Sequence, residues 1–506
     1  MKKLIAATLL GVMSLSTVIA QPNKAASRGV QTPPNLEPFI TDLHKGLYPD
    51  QIAPGAVVVV VKDSRVILLK GFGYADVEAK RPVTPQTVFY TASSSKPYLA
   101  LTAARLDHKG TLDLDAPLSR FIPNVKLQAP LSPDAITLRD LLTHTHGISG
   151  GPVDFRLTLT GHGTTSQLVE ALAQHPASRS GKDFAYSNIG YQVAGLAFDT
   201  SLKQSWKDLV QETVINPLGM KATTPYLSRA NREQLAMPYE AATPGYKRLY
   251  YAKADANMHA AGGLVTTGED QAKWLIMNIN RGRVGRAQIF PAAVIAETHR
   301  RQVDQDTPFS WVRRYEYGLG WNIGSYEGEK LIHAHGAFSA FYAHVSFMPE
   351  HRLGVAVLTH ESLLGDQFAE NVAQYIYDSF LQTPGAKYRW EKRLAAAPQT
   401  GKRYREGLAA EYGRRAGRQK PLPHPLESYA GVYESFEGDR MEWKVVNGKL
   451  VVSYGPLWSE AEVYDAAKNE LRVEIVPSSG NVIGFTFSGD RADGLTAGPV
   501  KFKRVR

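Results

Sequence analysis

The sequence predicts an α+β domain followed by a small all-β domain, on three observations. Strand-like runs stand at both ends of a helix-rich middle, so one sheet must be assembled from distant pieces of chain. A basic stretch ends at Lys420-Pro421-Leu422-Pro423, and beyond it the pattern is strand and turn. The 506 residues are 43% hydrophobic and 21% charged, which excludes wholesale disorder and fibrous repeats.

The elements follow in order. Met1-Lys2-Lys3, an apolar stretch from Leu4 to about Leu15 and Thr17-Val18-Ile19-Ala20 read as a signal peptide over residues 1–20, cleaved after Ala20. An uncleaved anchor or a buried helix fits less well, because the apolar run is short for a bilayer span. No later run is long enough to span, so a periplasmic or secreted soluble protein is expected. After a polar leader to Pro34, Leu36–Leu47 has helical spacing. Gly55–Val61 and Val66–Leu69 read as buried strands around the turn Lys62-Asp63-Ser64. Helical stretches follow at Lys96–His108, Leu138–Thr143, Thr165–His175, Gln192–Thr200 and Glu269–Ile279, and strands return at Lys330–His335, Ala343–Phe347 and Gly354–Leu358. Past residue 425, Asn447-Gly448 is a strong hairpin signal within Trp443–Tyr454, and Leu471–Val476 and Val482–Phe487 continue the strand pattern.

Charge and cysteine content exclude several classes. The formal charge is +10, but Lys387–Lys420 holds eleven Lys/Arg against three Asp/Glu, and Lys2 and Lys3 supply the rest. The surplus is therefore a local connector, and nucleic acid is not an implied partner. A solvated linker helix is the preferred reading, with weak contact to an anionic envelope surface as the alternative. The absence of cysteine excludes disulfide frameworks, thiolate metal sites and a cysteine nucleophile.

Three short patterns carry chemistry. Ser93-Ser94-Ser95-Lys96 is the only S-x-x-K in the chain, and it opens a helix, where residues i and i+3 share a face. The Ser93 hydroxyl and Lys96 ammonium can therefore meet, and the helix start favours a developing oxyanion. The ordinary alternative is a capped helix with a surface lysine. Tyr186-Ser187-Asn188 is the only Y-x-N, with phenol and amide pointing the same way on an extended loop. A phenol beside an ammonium can act as proton acceptor, although a buried structural tyrosine would look the same. On the strand His333-Ala334-His335-Gly336-Ala337, period two puts His333, His335 and Ala337 on one face and Gly336 on the other.

Together these patterns resemble the serine β-lactamase and penicillin-binding-protein superfamily, nearest its class C-like esterase and D-aminopeptidase branch. The resemblance covers roughly residues 35–385 and includes Gly71–Asp76, Leu138–Gly147, Ala261-Gly262-Gly263 and Tyr317–Trp321. From Tyr429 onward the chain resembles the lipocalin-like β-domain often appended to such hydrolases. It implies a β-lactamase/transpeptidase-like fold, an antiparallel sheet flanked by helices plus a helical subdomain, over residues 21–385. A basic linker (386–424) and the all-β domain (425–506) follow.

The resemblance also implies roles. Ser93 would be the nucleophile, Lys96 its activating partner, Tyr186 the general base and Asn188 a substrate-orienting amide. The Ser93 and Phe338 amides would bind the oxyanion. The third motif departs from the family: His335-Gly336-Ala337 replaces K-T-G, with Ala337 where glycine is usual and Ser339-Ala340 where Pro-Gly often stands. His335 is the preferred motif histidine, with His333 as the alternative. Without the motif lysine a substrate carboxylate lacks its fixed cation, so small esters or amides without that carboxylate are expected. Segments 150–164 and 299–316 are expected as loops walling the pocket.

The expectation is an exported serine hydrolase using an acyl-Ser93 intermediate and neither metal nor organic cofactor. The alternatives are a β-lactamase or D-alanyl peptidase acting on cell-wall fragments, and a non-catalytic envelope binding protein of the same fold. Gly147-Ile148-Ser149-Gly150-Gly151 fits a nucleophile elbow only if a strand precedes Ser149 and a helix follows, and here a helix precedes. His144-x-His146 and His333-x-His335 lack the further ligands of a zinc hydrolase.

Overall fold

A computed structural model describes residues 35–506 except 179–181, 243, 419, 437, 478 and 499. The expected signal peptide lies outside the described residues. Among the described residues no helix is long and apolar enough to cross a membrane.

Helix α1 (Leu36–Leu47) precedes the hairpin of β1 (Ala56–Lys62) and β2 (Arg65–Phe72). Asp63 and Ser64 turn it with φ 50° and 67°, the left-handed pair a two-residue hairpin loop requires. Five consecutive valines, Val57–Val61, are all buried because β1 is an inner strand. Val58 and Val60 pack with α1, while Val59 and Val61 face the core that contains Leu275.

The remaining strands of this sheet come from the far end of the domain. They are β3 (Val303–Phe309), β4 (Val312–Tyr317), β5 (Asn322–Tyr326), β6 (Glu329–Phe338), β7 (Phe341–Met348) and β8 (Leu353–Thr359). The order is β3-β4-β5-β6-β7-β8-β1-β2, antiparallel throughout, so a sheet built from distant pieces is what the chain forms. Segment 299–316 is not the expected loop. It forms most of β3 and β4, whose exposed polar faces lack the apolar run of a buried strand. Segment 150–164 is likewise partly helical, with Pro152–Phe155 running into a π-helical turn at Arg156–Thr160.

The helical middle contributes α2 (Lys96–His108), α3 (Leu138–Leu142), α4 (Asn188–Ser201) and α5 (Gly268–Ile279). Helix α6 (Gly365–Leu381) covers the face opposite α5, and α7 (Ala386–Gly417) continues from it. The basic stretch is therefore a docked helix. Trp390, Ala397 and Gly401 are buried, and a Cβ on Gly401 would stand 2.4 Å from the Leu47 carbonyl oxygen. Arg389 pairs with Asp378, Arg405 with Asp50, and Arg415 with Glu462 and Glu474, so part of the charge surplus is spent on fixing this strap.

The last eight strands, from Gly431–Ser435 to Val500–Arg504, close into a barrel by pairing the first with the last. Its interior is filled by Tyr433, Trp443, Phe485 and Phe502. Asn447 and Gly448, with φ 50° and 73°, make the expected hairpin turn. The barrel meets the π-helical turn through a buried pair, Arg156 Nε to Asp439 Oδ1 at 3.0 Å. Tyr250 also stacks on Trp458 at 5.3 Å. Arg156→Ala would strand a buried carboxylate, so a loss of about 3–5 kcal/mol is expected, read as a lower urea midpoint with Arg156→Lys losing less.

Candidate active site

A 3₁₀ turn at Ala92–Ser95 feeds directly into α2, which sets Ser93 and Lys96 one turn apart. Ala92 has φ 45°, a left-handed conformation that costs energy without glycine and that is held here beside Ser93. Lys96 is 1% exposed and donates to three oxygens: Ser93 Oγ at 2.9 Å, Asn188 Oδ1 at 2.8 Å and the Ala261 carbonyl at 2.8 Å. Those bonds use all three donors of an ammonium group. The ring centroids of Tyr186 and Tyr191 lie 4.9 and 5.5 Å from Nζ, giving the charge aromatic faces in place of a carboxylate.

Tyr186 lies on extended chain just before α4, and Asn188 is the first residue of that helix. The phenol is 45% exposed, and its hydroxyl has no hydrogen bond to a described residue. His144 holds this corner. Its Nδ1 accepts from the Ser187 amide at 3.2 Å, so Nε2–H donates to the Tyr317 hydroxyl at 3.1 Å. Its ring lies 4.5 Å from that of Tyr186. Burial, reinforced by the Lys96 charge, holds His144 well below the usual histidine range and keeps it neutral.

Strand β6 supplies the third wall. An added Cβ on Gly336 would stand 2.1 Å from the Thr91 carbonyl and 2.7 Å from the Ser93 amide nitrogen, so only glycine lets this strand approach the serine. Gly336→Ala is expected to push β6 off Ser93 and to cost roughly 10- to 100-fold in kcat with the fold retained. His333 and His335 lie on the other face of the strand, as the period-two reading expects. His333 is fully buried, His335 is half-buried, and both accept from Arg314, at 3.1 and 3.0 Å. Ala337 is exposed, and Phe338 packs edge-on against Tyr90 and against the barrel's apolar core.

Ser93, Lys96 and Asn188 are therefore joined directly, Tyr186 lies against Lys96, and Gly336 lies against Ser93. His333, the alternative motif histidine, is sealed behind them. Ser149 Oγ is spent on the Pro176 carbonyl at 2.9 Å, in a loop with a helix rather than a strand before it. Among the described residues no group of three His, Asp or Glu side chains could hold a metal.

The β-lactamase family profile matches residues 36–375. The chain belongs to the β-lactamase family. Among curated proteins it is 24% identical over 338 residues to Protein flp of Staphylococcus aureus (strain MW2), covering 66% of this chain and 64% of that protein. It is 27% identical over 360 residues to Unguisins hydrolase ungD' of Aspergillus campestris, covering 67% and 64%. The chain thus spans about 64% of the length of these relatives. In fold it resembles the octameric penicillin-binding protein homologue from Pyrococcus abyssi (TM-score 0.58, 22% identity, 92% of this chain and 99% of that one). It also resembles the D-amino acid amidase from Ochrobactrum anthropi SV3 (TM-score 0.57, 21% identity, 69% and 98%). The fold is β-lactamase-like with a C-terminal eight-stranded barrel.

Within this β-lactamase-family site, sequence reasoning missed Arg314, Tyr317 and the anchoring role of His144. Tyr317 lies in a motif quoted only for its resemblance, and His144 figures besides only as half of a zinc-binding pair. Arg314 lies in a segment read as loop.

Proposed function

We propose that this β-lactamase-family chain is an exported serine hydrolase that cleaves a small ester or amide through an acyl-Ser93 intermediate. The carrying observation is the saturated Lys96. With its three N–H groups on oxygens it acts as a fixed charge beside Ser93 Oγ, so the serine proton goes to another group. Tyr186, lying against the Lys96 ammonium, acts as the phenolate: it takes that proton and, as the phenol, passes it to the leaving oxygen or nitrogen, which restores the phenolate. On this reading the Ser93 and Phe338 amides bind the developing oxyanion. Asn188, its Oδ1 held by Lys96, keeps its NH₂ for the substrate carbonyl. Water attacks the acyl-serine ester while Tyr186 takes its proton, and the C–Oγ bond breaks as Tyr186 returns that proton to Ser93 Oγ, releasing the carboxylic acid and the free serine.

Likeness to a D-amino acid amidase and to a protein named a hydrolase of unguisins supports an amide substrate as the second reading. The first twenty residues support export to the periplasm or medium.

The test is p-nitrophenyl butyrate, a D-alanyl amide and nitrocefin assayed side by side on the chain from Gln21, with mass spectrometry after fluorophosphonate labelling. Ester turnover with the adduct on Ser93 is the expected result. An adduct on another residue, or turnover that survives complete labelling of Ser93, overturns the mechanism.

A further inference from the structure

Lys253 is a second buried lysine, and it takes no part in the proposed acyl transfer. It is 5% exposed, and its Nζ donates to the Thr158 carbonyl at 2.8 Å and more weakly to the Asn257 carbonyl at 3.4 Å. Among the described residues no carboxylate lies within ion-pair distance of it. Its other neighbours are aromatic: Nζ lies 3.9 Å from the Phe338 ring centroid and 5.5 Å from that of Tyr90. Burial brings the amine down to about 7 from an ordinary 10.5, so it is charged in mildly acidic solution.

A buried ammonium without a counter-ion is costly, and an apolar side chain would fill the same space without that cost. What the charge gains here is the face of one ring, an attraction that strengthens when water is excluded. The place of that ring gives the contact its meaning. Phe338 ends β6 two residues past Gly336, so period two sends its side chain to the Ser93 side of the sheet. There it packs edge-on against Tyr90, with 5.7 Å between centroids, and joins the apolar cluster that includes Ala92. Tyr90 and Ala92 lead directly into Ser93. The ring is thus held between the chain that presents the nucleophile and an ammonium tied to the π-helical turn Arg156–Thr160. A ring clamped on two sides fixes the backbone that bears it, and that backbone carries the amide given above to the oxyanion.

We infer that Lys253 is a positioning residue for acyl transfer: its ammonium holds the Phe338 ring, and through it the Phe338 amide, where the oxyanion forms. This rests on the acyl-Ser93 reading and adds the support of its oxyanion site. Lys253 is bonded to neither Ser93 nor Asn188, so its effect reaches the substrate through Phe338.

The test measures p-nitrophenyl butyrate turnover and inhibition by butylboronic acid at about pH 6, where the lysine is charged. The boronate adds to Ser93 Oγ and sets a hydroxyl where the oxyanion would lie, so it reads that position directly. Lys253→Met keeps length and apolar packing without the charge. It is expected to lower kcat roughly 10- to 100-fold and to weaken the boronate by a similar factor, with KM changed by less than about threefold. Phe338→Leu should do the same, and the double variant should lose no more than either single one. Unchanged kcat and boronate affinity in Lys253→Met, a change in KM alone, or losses that multiply in the double variant overturn the inference and leave the hydrolase reading intact. Should Lys253→Met fail to fold, Phe338→Leu decides alone: a matching loss in kcat and boronate affinity supports the inference, and full turnover overturns it. Natural protein that neither turns over an ester nor binds the boronate at Ser93 would instead overturn the hydrolase reading.

Discussion

Ser93→Ala is expected to lower ester turnover by roughly three to six orders of magnitude with the circular dichroism spectrum unchanged. The effect is large because the site works as a unit. Lys96 spends three bonds on Ser93, Asn188 and Ala261, and Gly336 exists to bring β6 against the Ser93 amide. Without the hydroxyl, these groups orient a substrate that has no nucleophile to meet. Fold and binding should survive, since Ser93 Oγ is bonded to Lys96 alone among the described residues. The same variant in a burst experiment should show no acyl-enzyme phase. A residual rate within tenfold of the natural protein would reassign the nucleophile.

Acid is expected to unfold the protein well above the ordinary carboxylate range. Burial holds His44 and His360 down to about 4 and His299 and His335 down to about 3, from an ordinary 6.5. Burial also lowers His144, His175, His259 and His333. Below pH 6.5 the unfolded chain binds protons that the native chain refuses. Stability is therefore complete above that pH and falls as pH drops toward 4, by roughly 1 kcal/mol per pH unit for each such histidine. Asp154, Asp199, Glu361 and Asp366 are raised by burial and act with the opposite sign, but they are four groups against eight. A net loss of several kcal/mol between pH 6.5 and 4.5 is expected, seen as a fall of roughly 10 °C or more in melting temperature. A flat profile over that range would show that the histidines are not held neutral.

Much of this was legible in the sequence, and what was not has physical causes. Helices α1 and α2 and the Asp63-Ser64 and Asn447-Gly448 hairpins carry strong local signals, apolar spacing or turn chemistry, that the tertiary structure only confirms. Ser93 and Lys96 could be paired because one helical turn joins them. Strands β3 and β4 were hidden because β3 is an edge strand with a largely polar, exposed pattern and β4, though mostly covered, has no run of apolar residues. Arg314 was hidden with them, since a single arginine in a polar segment looks solvated until the fold buries it. His144 looked like a repeated histidine motif, and only the loop before α4 shows what it anchors.

The valine run of β1 bears on how the chain reaches this state. One edge of β1 is satisfied at once by β2, but the other waits for Leu353–Thr359, with Val57 opposite Leu358. Until that strand is synthesised, the growing chain carries an open, uncharged edge of five consecutive valines, the composition that templates intermolecular β-pairing. Closure over so long a separation is slow by nature. Yield on expression should therefore track how long this edge stays open, through temperature, translation speed and holdase supply, more closely than the stability of the finished protein.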